Sequence, residues 1–202
     1  MSLFRAQLFT PQMKEDLRVF MREFADRYFK TVRDALQKAD PNHMYLGSRF
    51  AGHTLEEVQA CAEYCDVISF NIYRPTIGDM HELDGIDHPA IIGEFHMGAL
   101  DRGMFHPGLV ATENQAERAV MYEDYVHSVI DYPLFVGAHF FKYTDEPLVG
   151  RSGDGENYNI GVINVTDGTY PEMVKAARKV NTEMYVRRLG AKSPGAPGVA
   201  AK

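Results

Sequence analysis

An ionisable side chain placed directly after a buried apolar run needs a reason, and Glu94 is such a residue, inside the segment IIGEFHMG. A carboxylate held there can serve as a nucleophile, a general acid or a general base. Other reactive or hydrogen-bonding groups follow apolar runs elsewhere in the chain. Ser48 and Arg49 close HMYLGSRF, Asn71 and Tyr73 close DVISFNIY, and His96 follows Glu94. His139, Lys142, Tyr143 and Asp145 gather in or just after LFVGAHFFKY. In parallel α/β architectures the active groups collect at the carboxyl ends of strands, so these residues form one group of candidates. Each also has a structural reading. Glu94 can be a strand-end carboxylate paired with Arg49, Tyr73 a core aromatic, Asn71 a turn residue and His139 a satisfied core histidine. They gain weight only when taken together.

Other chemistries fit less well. Glu94, His96, Asp101 and His106 can be drawn as a zinc set, but their spacing matches no compact zinc signature, so neither a metal nor any other cofactor is expected. The segment Asp79, His81, Glu82, Asp84, Asp87 and His88 reads as a solvated acidic loop. Ser48 and Ser69 lack the surroundings of a nucleophile elbow. The glycines between Gly150 and Gly161 are followed by no helix start and no Lys-Ser/Thr pair, which excludes a phosphate loop.

The elements that must position the candidates are legible as apolar periodicity. Leu17, Phe20, Met21, Phe24, Tyr28, Val32 and Leu36 recur at helical spacing from about Pro11 to Ala39, before Asp40-Pro41-Asn42 stops the helix. A strand over His43 to Phe50 follows, then a helix opened by Thr54 and Glu57 at capping-box spacing and ending near Tyr64. Asp66 to Tyr73 and Ala90 to Phe95 read as two more strands joined by an irregular connection. Thr112 and Gln115 have the spacing to open a helix that reaches Asp131. Leu134 to Tyr143 reads as the last strand, and a polar loop from Thr144 to Tyr170 precedes a final helix with Pro171 in its first turn. Strands apolar along their whole length and separated by helices indicate a parallel sheet covered on its faces. Residues 1–189 therefore read as one domain, and 190–202, rich in Ala, Gly, Pro, Ser and Lys, as a disordered tail.

With 202 residues the chain is too short for a complete (β/α)8 barrel, which needs about 250. A net charge of -7 argues against a nucleic-acid partner, and no apolar run is long enough to span a membrane. The segment MSLFRAQLF does not read as a signal peptide, so a soluble protein is expected and its compartment stays open. Cys61 and Cys65, four apart in a helical pattern, read as buried thiols on one helix face.

Four segments together resemble a known family. NIY at the second strand, IIGEFHMG at the third, GAHFFKYTDEPLVGRSGDGENYNIGVINVTDGTYPE from the fourth, and KTVRDALQKADPNHMYLGSRFAG before the first are similar to the C-terminal half of clan A glycoside hydrolases. The β-agarase and β-galactosidase-like branch is the nearest in character. The resemblance implies that the four strands correspond to the fifth to eighth of a (β/α)8 barrel, and that the chain acts on β-linked galactosides or related glycans with retention. Glu94 then falls on the catalytic nucleophile and Tyr73 on the tyrosine that holds it. Arg49, Asn71, His96, His139, Tyr143 and the loop carrying Asp154 and Asn157 fall on the substrate rim. Two departures accompany the match. The family's acid/base Glu follows an Asn at the end of the fourth barrel strand, and this chain has no Asn-Glu pair. It also has no Trp, so Phe140 or Phe141 takes the place of the usual sugar platform. Without the acid, turnover should be weak, since general acid catalysis contributes about 10²–10⁴-fold. The alternative is a non-catalytic half-barrel that binds carbohydrate or mediates assembly.

Half a barrel leaves two sheet edges unpaired. It also strips the interior face, for which Tyr45, Ile68, Phe70, Ile91 and Phe135 are the candidates, of its opposite wall. A homodimer in which two half-barrels close one eight-stranded barrel is the expected remedy.

Overall fold

The computed structural model describes residues 10–190. Its elements run α1 (Pro11–Ala39), β1 (Arg49–Phe50), α2 (Leu55–Tyr64), β2 (Ile68–Asn71), β3 (Ala90–Phe95), α3 (Gln115–Asp131), β4 (Phe135–Phe140) and α4 (Pro171–Leu189), with one 3-10 turn at His81–Leu83 between β2 and β3. The four strands form one sheet in the order β1-β2-β3-β4. β1 and β2 are parallel, with Arg49 opposite Ser69 and Phe50 opposite Phe70. Ile68 N–H bonds to Pro89 O and Ile72 N–H to Glu94 O, so β2 and β3 advance in the same direction, and Phe141 N–H to Phe95 O continues the pattern from β4. This is a four-stranded parallel sheet with flanking helices, a partial barrel. The expected disordered tail falls almost wholly on 191–202 and, like MSLFRAQLF, lies outside the described residues.

Contacts divide the chain into two compact units, one running to Phe70 and including Met80–Ile91, the other made of Asn71–Asp79 and the chain from Ile92 onward. In the first, α1 packs along α2. Thr10 caps α1 by accepting Met13 N–H, and Thr54 with Glu57 forms a complete capping box on α2. Arg18–Glu56 and Arg22–Glu63 ion pairs tie the two helices on their outer side. Cys61 and Cys65 are free, buried thiols. The expected strand over His43 to Phe50 shrinks to Arg49–Phe50 for a visible reason. Asp66 takes the Tyr45 N–H on its carboxylate and gives its own N–H to Tyr45 O, so that backbone is satisfied outside the sheet. Gly47 then turns at φ +65°, where a Cβ would stand 2.6 Å from Cys61 Sγ.

The interior-face expectation needs correcting. Phe70 packs against Phe50 and His53, and Phe50 in turn lies edge-on to Phe29 of α1, so this row faces the helix layer. Ile68 and Phe70 are 0% exposed and Phe135 3%, while Ile91 and Tyr45 are half-buried. Ile68, Phe70 and Phe135 do not need a partner to leave water. Large exposed apolar groups of this unit include Met13, Leu17, Phe20 and Phe24, which form a stripe on α1 at spacings of three and four.

In the second unit α3 packs on β4 and along α4. Phe95 of β3 stacks on Tyr125 of α3 with ring centroids 4.1 Å apart, and Phe140 of β4 lies edge-on to both Phe95 and Tyr122. The cap of α3 also differs from expectation. Asn114, not Thr112, is the N-cap and accepts Glu117 N–H, because the Thr112 hydroxyl is used on Gly98 O. β4 ends at Phe140 instead of running to Tyr143, whose carbonyl instead accepts the N–H groups of Val162 and Ile163. No described helix is long and apolar enough to cross a membrane.

Candidate active site

Glu94 sits at the carboxyl end of β3, one residue before the strand ends, and is half-buried. Tyr73 follows β2 by two residues. The parallel register brings the two together, and the Tyr73 hydroxyl donates to Glu94 Oε2 at 2.5 Å. A donor on one carboxylate oxygen holds the side chain in one rotamer. Asn71, the last residue of β2, keeps a buried side-chain oxygen, Oδ1, without a hydrogen-bond partner. Such an acceptor costs about 1–3 kcal/mol until a donor reaches it.

Behind Tyr73 lies His96, only 2% exposed, with ring centroids 4.6 Å apart. Its Nε2 accepts the Leu109 N–H at 2.9 Å, so this nitrogen carries no proton. Burial pushes its pKa down to about 4, the Arg118 charge adding to the effect and the Phe141 backbone opposing it. His96 is therefore a neutral packing group behind Tyr73, not an open rim residue. Gly108, at φ +80°, allows this approach, since a Cβ there would be 2.6 Å from His96 Nε2.

The two phenylalanines that follow His139 separate cleanly. Phe140 points into the helix layer, and Phe141 lies beside His96 at 6.2 Å. The Lys142 ammonium and the Arg151 guanidinium stand over the Phe141 ring at 5.9 and 5.7 Å. His139 and Tyr143 are exposed, Tyr143 strongly at 69%. Arg49 is exposed on β1 in the first unit. Asp154 is exposed and held by Arg151, which lowers its pKa to about 2 through their hydrogen bond, and Asn157 is half-buried on the same loop.

Four acidic residues of that last loop, Asp145, Glu146, Asp154 and Glu156, are engaged. Asp145 accepts the Gly161 N–H on one oxygen and Asn159 and Tyr170 on the other. Glu146 is fully buried between Lys142 and Arg151, and Glu156 is paired with Arg151 at 2.7 Å. Asp101, once a member of the rejected zinc set, accepts Gln115 N–H. Among the described residues no group of three or more His, Cys, Asp or Glu could hold a metal ion.

A buried polar network supporting the site was missed in the sequence. Arg118 of α3 is 0% exposed and donates to Met97 O, Gln115 Oε1 and Gly161 O, with its guanidinium over the Tyr170 ring. Gln115 passes the network to Asn159, and Asn159 to Asp145. These bonds fasten the segment after β3 and the loop after β4 to one helix. A signal was present: Arg118 falls on the same helix face as Tyr122, Tyr125 and Val129, a charge inside an apolar stripe.

No protein-family model matches the chain. It is 45% identical over 181 residues to β-agarase B and 46% identical over 182 residues to β-agarase A, both of Vibrio sp. (strain JT0107). Those matches take in 87% and 86% of this chain but only 19% and 18% of the two enzymes. Among solved structures an exo-β-agarase is 49% identical with a TM-score of 0.87, over 90% of this chain and 25% of that one. The chain thus spans about a fifth to a quarter of the relatives it matches, and it is similar to a segment of agarose-degrading glycoside hydrolases. The link toward β-galactosidase-like enzymes is one of fold alone: a GH2 β-galacturonidase from Eisenbergiella tayi is 16% identical with a TM-score of 0.54.

Proposed function

We propose that this chain carries the nucleophile side of a retaining glycosidase site of clan A barrel type, acting on β-linked galactosides of the agarose kind or related glycans. The observation that carries the reading is the Tyr73 hydrogen bond to Glu94 Oε2 at the carboxyl end of a parallel strand. Glu94 Oε1 would attack the anomeric carbon as the bond to the leaving oxygen breaks, and Tyr73 would hold the other oxygen. The leaving oxygen needs a proton, and retaining enzymes supply it from a second carboxyl about 5–5.5 Å away. No Asn-Glu pair exists in the chain, and Asp145, Glu146 and Glu156 are each engaged elsewhere. Chemistry should therefore be weak on natural glycosides and stronger where the leaving group departs unprotonated.

Asn71 is proposed as a residue of the rim, and Phe141 supports the stacking role that a Trp takes in the family. His139, Tyr143, Asp154 and Asn157 are proposed to complete the rim. His96 is proposed to act by fixing the ring of Tyr73. The test is the release of dinitrophenolate from 2,4-dinitrophenyl β-galactoside. The reading requires a burst that Glu94→Gln abolishes. Sugar binding without any burst would favour the alternative, a carbohydrate-binding or assembly half-barrel.

A homodimer remains part of this proposal, on changed grounds. Exposed apolar groups include the α1 stripe in one unit and, in the other, Val136 of β4 and Tyr185 of α4, each 64% exposed. Two copies related by a two-fold axis would cover the α1 stripe.

A further inference from the structure

Two sulfur atoms crowd one point at the end of α2. A Cβ added at Gly47 would stand 2.6 Å from Cys61 Sγ and 3.2 Å from Cys65 Sγ, so both thiols face the same turn. They also hydrogen-bond to each other. Cys61 is 0% exposed and Cys65 5%. A cysteine that only filled space would sit among apolar groups. This pair instead belongs to a polar chain: the Tyr45 hydroxyl bonds to Cys65, Cys65 to Cys61, and the Ser48 N–H to Cys61.

The chain has a direction. Donation from Cys65 holds the Cys61 pKa below that of an ordinary thiol, burial opposes it, and the Ser48 N–H adds to it. The same bond raises the pKa of Cys65, and burial raises it further. A thiolate of the pair is therefore on Cys61, with the Cys65 thiol beside it to resolve an oxidised sulfur. The cover over the pair is thin. Residues 44–48 form neither helix nor strand, Tyr45 is half-buried, and Met44 is 70% exposed. Local opening of such a segment admits a small solute. Cys65 is also the C-cap residue, and its N–H closes the last turn of α2 on Cys61 O. Helix neighbours four apart hold their Cβ atoms about 5–6 Å apart, whereas a disulfide needs about 3.5–4.5 Å. A bridge here pulls on that last turn, and strained bridges are the ones that thiols reduce readily.

We propose that Cys61 and Cys65 form a reversible dithiol–disulfide site for a hydroperoxide oxidant. The Cys61 thiolate attacks one peroxide oxygen, the O–O bond breaks and hydroxide leaves, giving a sulfenic acid. The Cys65 sulfur then attacks the Cys61 sulfur. The S–O bond breaks, and the hydroxyl departs as water with the Cys65 proton. The two electrons lost by the thiols end on the peroxide oxygens. Bridging deprives the Ser48 N–H of its thiolate acceptor one residue before β1 begins, so the redox state is felt at the start of that strand.

The test treats the reduced, folded, isotope-labelled full chain with hydrogen peroxide. It reads the intact mass, a non-reducing peptide map and the amide signal of Ser48. The site requires loss of two hydrogens, a Cys61–Cys65 cross-link, a shifted Ser48 amide, and reversal of all three by dithiothreitol. Cys65→Ser should leave a sulfenic acid on Cys61 that dimedone captures, and Cys61→Ser should give about tenfold less capture on Cys65. The map of the natural chain decides the site even if a variant fails to fold. Thiols that stay reduced while methionines gain oxygen, a bridge between two chains, or a cross-link formed only in urea would overturn it. Equal capture in the two variants would overturn the order of attack, and an unmoved Ser48 amide the link to β1.

Discussion

Tyr73 and Glu94 lie on neighbouring strands, 21 residues apart, and the hydroxyl of one rests 2.5 Å from a carboxylate oxygen of the other. That contact holds one carboxylate oxygen in place. A hydrogen bond to a charged group is worth about 1.5–3 kcal/mol. Tyr73→Phe should therefore slow covalent capture of an activated glycoside about ten- to a hundredfold while leaving the far-ultraviolet circular dichroism unchanged. Equal rates in the two proteins would remove the positioning role.

His96 ties stability to pH. Its pKa is lowered by burial from 6.5 to about 4, so the unfolded chain binds its proton first as the solution is acidified. This contribution is complete above pH 6.5 and is lost as pH falls toward 4, to a total of about 3 kcal/mol. Urea midpoints measured at pH 7 and pH 4.5 should differ more for the natural chain than for His96→Gln. The same difference in both would show that His96 carries none of it.

Arg118 is the polar centre of the second unit. Arg118→Met fills similar volume but strands Met97 O, Gly161 O and Gln115 Oε1. A loss of about 3–5 kcal/mol is expected in denaturant unfolding. A loss below 1 kcal/mol would mean that water replaces the guanidinium at little cost.

Phe140 and Phe141 should respond oppositely. Phe140→Ala removes a ring wedged between Phe95 and Tyr122 and should cost about 2–3 kcal/mol of stability. Phe141→Ala should spare stability and weaken oligosaccharide binding about three- to tenfold, as read by calorimetry. The reverse pattern would place the sugar platform on the wrong residue.

The proposed homodimer should scatter light as twice the 22.8 kDa chain at micromolar concentration. Phe24→Glu, in the middle of the exposed α1 stripe, should return it to one chain mass. A natural chain already at 22.8 kDa contradicts the dimer.

Local signals in the sequence were read well where one segment decides its own structure. Thr54 and Glu57 give a capping box that needs no distant partner, and the apolar run Ala90–Phe95 matches β3 to the residue. Properties set by partners far along the chain have no such local signal. Ile68 and Phe70 looked equally able to face a barrel interior or a helix layer, because alternation gives two faces without saying which is inside. The same ambiguity hid the difference between Phe140 and Phe141. Arg118 bonds to Gly161, 43 residues away, and no local pattern near either residue names the other. The proposed pairing of Tyr73 with Glu94 likewise came from family resemblance; spacing alone left each a structural reading.

The central claim is that Glu94 can form a bond to an anomeric carbon. The most direct measurement is the intact mass of the chain, with peptide mapping, after incubation with a 2-deoxy-2-fluoro-β-galactoside bearing an activated leaving group, which needs no acid to depart. One added fluorosugar on Glu94, absent in Glu94→Gln, is the result this account requires. An unchanged mass with both galactoside and glucoside reagents, or a label on any other residue, would contradict it.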